Sequence, residues 1–344
     1  MRRIFNGFTL AEANNSSPRQ GRLGGVSTCN SCKPIPIPTP SLNREGSRKV
    51  AFTLAEVLIT LAIVGVVAAM TMPVLINKVH DREYDRAREK ALNSIGEAGR
   101  LLAVQGDIGS GTNAEDFVKN YLSKKLKIVQ MCDSDNLEKC GLSPTIKKLD
   151  GTTTMSMPTT IAGLGLPSIG NLAWKTSTTN YGFLTANGYA VNLFYNPNCT
   201  TDTNSTNTLA SGYVCMNAIY DMNGLKNPNQ VGKDIGFVTI LYPDETNRAV
   251  APNPTPTVTS GQKDWTKAQT ACTRLGKEYT LPDKDEALSM AINGNLIGIT
   301  SGLYWSSSAY SGNSSNIWLQ YFNSGDRFRR NKAVSMFYVR CVRR

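Results

Sequence analysis

Two places in this chain put polar side chains where they could do chemistry. The first is Glu56, the single charge in the apolar run Phe52 to Ile76 of "KVAFTLAEVLITLAIVGVVAAMTMPVLINK". A carboxylate inside a membrane-length segment is expensive in lipid and calls for a partner. The second is "DMNGLKNPNQVGKD", Asp221 to Asp234, where Asp221, Asn223 and Asp234 offer hard oxygen ligands of the kind calcium takes. Gly224 comes too early for an EF-hand loop, and no Glu follows at the right distance. Asx-turns are the competing expectation, because Asn and Asp also cap their own backbone. The chain has one histidine, His80, and no His-based triad, Gly-rich phosphate loop or repeated acid pair. Catalysis is not expected, and calcium is the single cofactor to weigh.

The cysteines come next. Cys29 and Cys32 precede the apolar run, and Cys132, Cys140, Cys199, Cys215, Cys272 and Cys341 follow it. Those six form two close pairs and one distant pair. Sequential pairing is the simplest of the fifteen connectivities and implies an oxidising compartment. Zinc is the rival, but a lone C-x-x-C and one histidine make a weak site.

The chain has 344 residues, enough for two or three modest domains, and is only 18% charged. Its formal charge is +11, but residues 1–51 hold eight Lys or Arg and two Asp or Glu, so the excess without them is +5. A surface of that charge does not by itself imply nucleic acid. As a helix, the 25 residues Phe52 to Ile76 would span about 37 Å, enough to cross a bilayer. Arg44, Arg48 and Lys49 flank its start and put that side in the cytoplasm. A signal peptide would be shorter and end in a small-x-small site.

The stretch "AFTLAEVLITLAIVGVVAAM" resembles the N-terminus of type IV pilins and type II secretion pseudopilins. The resemblance implies cleavage by a prepilin peptidase after Ala51 and methylation of the new amino terminus at Phe52. It also implies that Glu56 pairs with the amino terminus of a neighbouring subunit during assembly, and that Pro73 interrupts the helix. Gly is usual before the cut, and Ala51 departs from that. An earlier "GFTLAE", Gly7 to Glu12, has no apolar continuation and reads as non-functional.

Beyond Pro73, Tyr84, Ala87, Ala91, Ile95, Ala98 and Leu102 recur at spacings of three and four, which predicts a helix ending near Gly106 with one apolar stripe. "HDREYDRAREK" reads as its solvated face. "GFLTANGYAVNLFYN" predicts a hairpin turning at Asn187-Gly188, and Tyr213 to Asp221 and Ile235 to Tyr242 predict further strands. After a Pro/Thr-rich linker, Asp264 should cap a helix carrying Trp265, Ala268, Cys272 and Leu275. Asp283 and Glu286 form a capping box for a second.

The order W-x-x-A-x-x-x-C-x-x-L-G, L-P-x-x-x-E, Y-W-S-S-S, W…F-x-x-G and V-R-C-V-R, over about 80 residues, resembles C-type-lectin-like domains of bacterial surface and retroelement-diversified proteins. It implies a scaffold of Trp305, Ser306, Ser307, Trp318, Phe322, Gly325, Arg340 and the Cys272–Cys341 pair. The ligand surface it implies is Tyr310, Asn313, Asn316, Leu319, Tyr321, Asp326, Arg327, Phe328 and Arg329. Both tryptophans are expected in the core, and the arginines near Arg329 could be only a solvated basic loop.

The expected fold is α+β: a long N-terminal helix packed on an antiparallel β-sheet head, with a C-type-lectin-like domain after it. The expected divisions are a disordered leader 1–51, the helix 52–106, the head 107–245, the linker 246–262 and the ligand-binding domain 263–344. The expected function is a pilin-like filament subunit displaying an adhesin. The alternatives are a pseudopilin of a type II secretion-like machine and a DNA-uptake minor pilin. Partners would be other pilin subunits, the prepilin peptidase, the inner membrane before assembly and a glycan or protein ligand, with nucleic acid less expected. The protein would sit as a single-pass inner-membrane protein, then in an extracellular filament or periplasmic pseudopilus.

Overall fold

The first helix starts at a capping box. Glu56 N donates to Thr53 Oγ1 (3.2 Å), and Thr53 N donates back to Glu56 Oε2 (2.9 Å), satisfying two amides that a helix start otherwise leaves open. The carboxylate expected to need a partner therefore already serves its own helix, a role that the T-x-x-E spacing allows.

The computed structural model describes residues 53–165, 180–199, 214–241, 248–250, 253–254, 261–299, 301–323 and 325–344. Ala51, Phe52, the leader, Cys29 and Cys32, and most of the expected linker lie outside them. Two compact units divide between Ile63 and Val64. The described part of the first is the exposed start of α1 (Leu54–Val104).

Within α1, Leu54–Pro73 has mean hydropathy 2.3 and none of it is buried; among the described residues it is the one segment long and apolar enough to cross a membrane. The expected interruption at Pro73 does not occur, since the helix continues through it. Proline removes a single i→i−4 bond, and the turns on either side carry the ladder. Further along, Ala91, Ile95, Ala98 and Leu102 are buried as the stripe predicts. The polar face is not wholly solvated. Arg88 is buried and donates to Gly232 O and Lys233 O (2.5 and 3.0 Å), and Asp85 pairs with both Arg88 and Arg343.

The second unit, residues 64–344, is built on an antiparallel sheet. It uses β1 (Ile128–Cys132), β4 (Tyr181–Thr185), β5 (Ala190–Tyr195), β6 (Val214–Asp221), β7 (Ile235–Leu241) and β8 (Arg248–Val250), in the order β1-β4-β5-β6-β7-β8. The β4–β5 hairpin turns where Asn187-Gly188 predicts, with Gly188 at φ 88°, a conformation glycine adopts freely. All of β6 is buried because both sheet faces are covered. Val191, Ala218, Tyr220 and Ile240 pack with Ile95, Ala98 and Leu102 of α1 and Phe117 of α2 (Ala114–Asn120). On the other face, Ala190, Phe194, Ile219 and Phe237 pack with the short β2–β3 hairpin (Thr145–Lys147, Thr154–Ser156) and α3 (Ile161–Leu164).

That second face also takes in the C-terminal residues. Asp264 caps α4 (Trp265–Thr273) by accepting from Lys267 N, and Asp283 with Glu286 makes the expected capping box on α5 (Lys284–Ile292). Leu275 falls beyond α4 and is exposed, not on its buried stripe. From α5 and after it, Leu288, Ile292, Leu296, Ile297, Phe322 and Val342 join the cluster that holds Ile146, Val231 and Phe237. A buried polar lattice lies beside it. Asn217 and Asn293 exchange amide hydrogen bonds (3.0 Å each), and Thr239 Oγ1 donates to Asn217 Oδ1 (2.7 Å). Two smaller sheets follow: β11 (Leu303–Tyr310), β12 (Asn313–Tyr321) and β13 (Arg327–Asn331), and β14 (Val342–Arg343) between β10 (Tyr279–Thr280) and β9 (Asn253–Pro254).

Among the described residues, three disulfides close the chain: Cys132–Cys140, Cys199–Cys215 and Cys272–Cys341. By loop-closure entropy the last, spanning 69 residues, is worth roughly 4 kcal/mol. Peptide mapping without reductant should recover these three pairs; any crossed pair would contradict the packing around Cys272 and Cys341, both fully buried.

Candidate functional site

Strand register sorts the residues of the β11–β12–β13 sheet onto two faces. Leu319 lies opposite Trp305 and Phe328, and Trp305 (0% exposed) and Leu319 (1%) belong to the core with Ile317 and Val339. Trp305 Nε1 donates to Lys263 O (2.7 Å), the polar contact a buried indole needs. Leu319 is therefore a core residue, not part of a ligand surface, and Phe328 packs partly against the same core.

On the opposite face, Trp318 lies across from Arg329, Gln320 from Arg327 and Asn316 from Asn331. Trp318, expected in the core, is half-buried, and its ring meets Tyr310 edge-on at 5.6 Å. The Arg329 guanidinium stands over the Tyr310 ring, 4.4 Å from its centroid, within cation–π range. Tyr310, Trp318 and exposed Arg329 thus form a polar-edged aromatic cluster, with Asn316 and exposed Asn313 nearby in the same strand. Alternation along β12 held the signal: Trp318 is flanked by buried Ile317 and Leu319 and must point the other way.

Other expected surface residues are committed elsewhere. Arg327 reaches Asp285 at the start of α5 (3.0 Å), and their side chains are only 11% and 16% exposed. Tyr321 meets Phe328 at 6.4 Å, and the Asp326 carbonyl accepts from Tyr321 N. Removing Arg327 leaves Asp285 with the more distant Lys284 Nζ (3.5 Å), an incomplete replacement for a largely buried partner. Arg327→Ala should therefore lower stability by about 2 kcal/mol or more, read as a fall in the urea midpoint, while Arg329→Ala leaves it nearly unchanged.

The loop between β6 and β7 brings together all three expected calcium ligands. Asp221 and Asp234 are fully buried at its two ends. Asp221 Oδ1 accepts from Asn223 N and Gly224 N (3.0 and 2.9 Å), and the Asp234 carboxylate accepts from Asn229 N and Gln230 N (2.8 and 2.7 Å). These are the Asx-type bonds that sequence alone weighed against a metal. Burial, and then the charge of Asp234, push the Asp221 carboxyl up to about 7. One terminal atom of the Asn229 amide lies 3.3 Å from Asp221 Oδ2, 3.2 Å from Gly224 O and 3.3 Å from Lys226 O. With nitrogen there, the two N–H groups of the amide donate among these three acceptors. With oxygen there, four oxygens face one another, and Asn223 Oδ1, buried without a hydrogen-bond partner, is close in sequence. Such a set fits a hard cation at about 2.3–2.6 Å from each oxygen. Among the described residues, no three His, Cys, Asp or Glu side chains cluster as metal ligands, so such a cation would rely on amide and backbone oxygens.

Comparison with protein-family models and with curated proteins finds no match to this chain.

Proposed function

We propose that this chain is a type IV pilin-like filament subunit that carries a ligand-recognition domain. The observation that supports this most is the division of α1. Its side chains are apolar and exposed through Leu54–Pro73, then striped and buried from Ala91 to Leu102. Exposed apolar surface of that length needs lipid or other copies of itself. Glu56 uses Oε2 to cap its own helix; its other oxygen is the one that would receive a neighbouring subunit's amino terminus. The C-terminal recognition domain is read as C-type-lectin-like, with its ligand meeting the Tyr310–Trp318–Arg329 cluster. Amphipathic aromatics beside Asn side chains give contact area at low entropic cost.

Intact mass of protein recovered from filaments tests the first part. It should correspond to a chain beginning at N-methylated Phe52, and a retained leader would overturn the assignment. Glu56→Ala should still insert into the membrane yet leave few filaments. For recognition, Arg329→Ala should keep the melting temperature and weaken attachment on a glycan and protein array probed with the full chain.

The same reading takes the β6–β7 loop as a calcium site using Asp221, Asn229 and the carbonyls of Gly224 and Lys226, with Asn223 and Asp234 beside them. Calcium at about 100 times its Kd should add about 2.7 kcal/mol, read as a rise in melting temperature reversed by chelator and absent in Asn229→Leu. An unchanged melt would leave Asx-turns as the whole explanation.

A further inference from the structure

The last stretch of the chain is unbalanced in charge. From Arg327 to Arg344 there are seven Lys or Arg and no Asp or Glu. Arg327, Arg343 and Arg344 are each bound by an acid from another element, and Arg340 donates to Ile297 O (2.9 Å). Arg329 stands over Tyr310. That leaves Arg330 and Lys332, with which no carboxylate pairs among the described residues. Arg330 lies opposite Ile317, whereas Arg329 lies opposite Trp318. By strand alternation Arg330 therefore leaves β13 on the side away from the Tyr310–Trp318–Arg329 cluster. Lys332 Nζ lies 5.6 Å from the ring centroid of Trp265, which packs against the core of Trp305 and Ile317. After Lys332 the chain turns and runs extended. Phe337 and Val339 go to the core, while Val334, Met336 and Tyr338 are 83%, 60% and 38% exposed.

Apolar side chains this exposed, grouped on one short turn and bordered by cations, mark a contact surface. We propose that this turn docks on an anionic lipid bilayer. Val334 and Met336 enter the acyl boundary, while Arg330 and Lys332 meet lipid phosphates at the headgroup level. Trp265 and Tyr338 have the apolar body and polar edge that suit that level. Long basic side chains reach headgroups while their stems lie along apolar surface. Each Lys or Arg near an anionic leaflet strengthens binding about fivefold, and the buried apolar area adds to it. A nucleic acid would use the two cations and leave Val334 and Met336 in water. A protein partner would need a cleft shaped to the projecting turn, and a bilayer receives it without one. This surface shares no residue with the recognition face proposed above and does not depend on it.

The test is co-sedimentation. The full chain is held in nanodiscs of phosphatidylcholine, which shelter Leu54–Pro73. It is then mixed with sucrose-loaded vesicles of phosphatidylcholine, alone or with about 30% phosphatidylglycerol to charge the surface. The protein should pellet with the anionic vesicles and not with the neutral ones, and added salt should weaken this. Val334→Asp should keep the melting temperature, because the side chain is 83% exposed. It should lower pelleting at least about tenfold, the worth of burying one valine. Met336→Asp serves the same purpose should Val334→Asp lower the melting temperature. Arg330→Ala should lower pelleting about fivefold. The proposal is overturned if the anionic vesicles bring down no protein, or if the neutral ones bring down as much. It is also overturned if either kind of variant leaves pelleting unchanged. Retention in both aspartate variants would mark a purely ionic site for a nucleic acid or an acidic protein, and retention in Arg330→Ala a purely apolar one.

Discussion

Expressed alone, residues 261–344 will not unfold as a cooperative domain, whereas residues 79–344 will melt in one transition. The reason is the shared core. Leu288, Ile292, Leu296, Ile297, Phe322 and Val342 are buried against residues from the first half of the chain. Each such side chain contributes about 1.5–3 kcal/mol when buried. Cutting the chain at residue 261 exposes them together, a loss on the order of 10 kcal/mol, comparable with the whole stability of a typical domain. Differential scanning calorimetry would decide it: a sharp, reversible endotherm from the fragment would mean that the C-terminal core is sufficient without the sheet. This bears on any binding assay, because a fragment that exposes this surface would bind apolar matter without specificity.

The second large effect concerns the amide pair between β6 and the end of α5. Asn217 and Asn293 are fully buried and exchange two hydrogen bonds, and Thr239, itself bonded to Ser289, also donates to Asn217. Replacing either amide by leucine strands buried partners, at about 1–3 kcal/mol for each group left unmade. Asn217→Leu should therefore destabilise by roughly 3–4 kcal/mol, and Asn293→Leu by nearly as much. The double variant should lose clearly less than the sum, because neither amide is then left facing an apolar wall. Strict additivity in urea denaturation would show that the two amides do not act as a unit.

Much of this architecture was legible in local signals. The stripe on α1, the Asn187-Gly188 hairpin, the Asp264 cap and the Asp283–Glu286 capping box all form where short-range chemistry put them. What stayed hidden was long-range. Nothing within "HDREYDRAREK" shows that Arg88 will be buried against the carbonyls of residues 232 and 233, because its partners lie more than a hundred residues away. Leu288 and Ile292 sit on the short helix that the Asp283–Glu286 capping box predicts, and nothing local shows that their neighbours come from the central sheet. The proposed recognition face was half legible. The motif spans residues 310–329, but motif order carries no facing information. Leu319 therefore reads as surface and Trp318 as core until strand alternation assigns them.

Asp85 on α1 pairs with Arg343 of β14, and β14 is tethered next door through Cys341 to Cys272. Beside the shared core, those two contacts give mechanical tension a second, short path. A pull on β12, passed into the C-terminal core, reaches the long helix through a covalent sulfur bridge and an ion pair. If the chain is a filament subunit, as proposed, and has to resist shear flow, reducing Cys272–Cys341 should lower the force at which an atomic-force probe detaches from a filament and lengthen the extension before rupture, while the affinity at rest stays as it was.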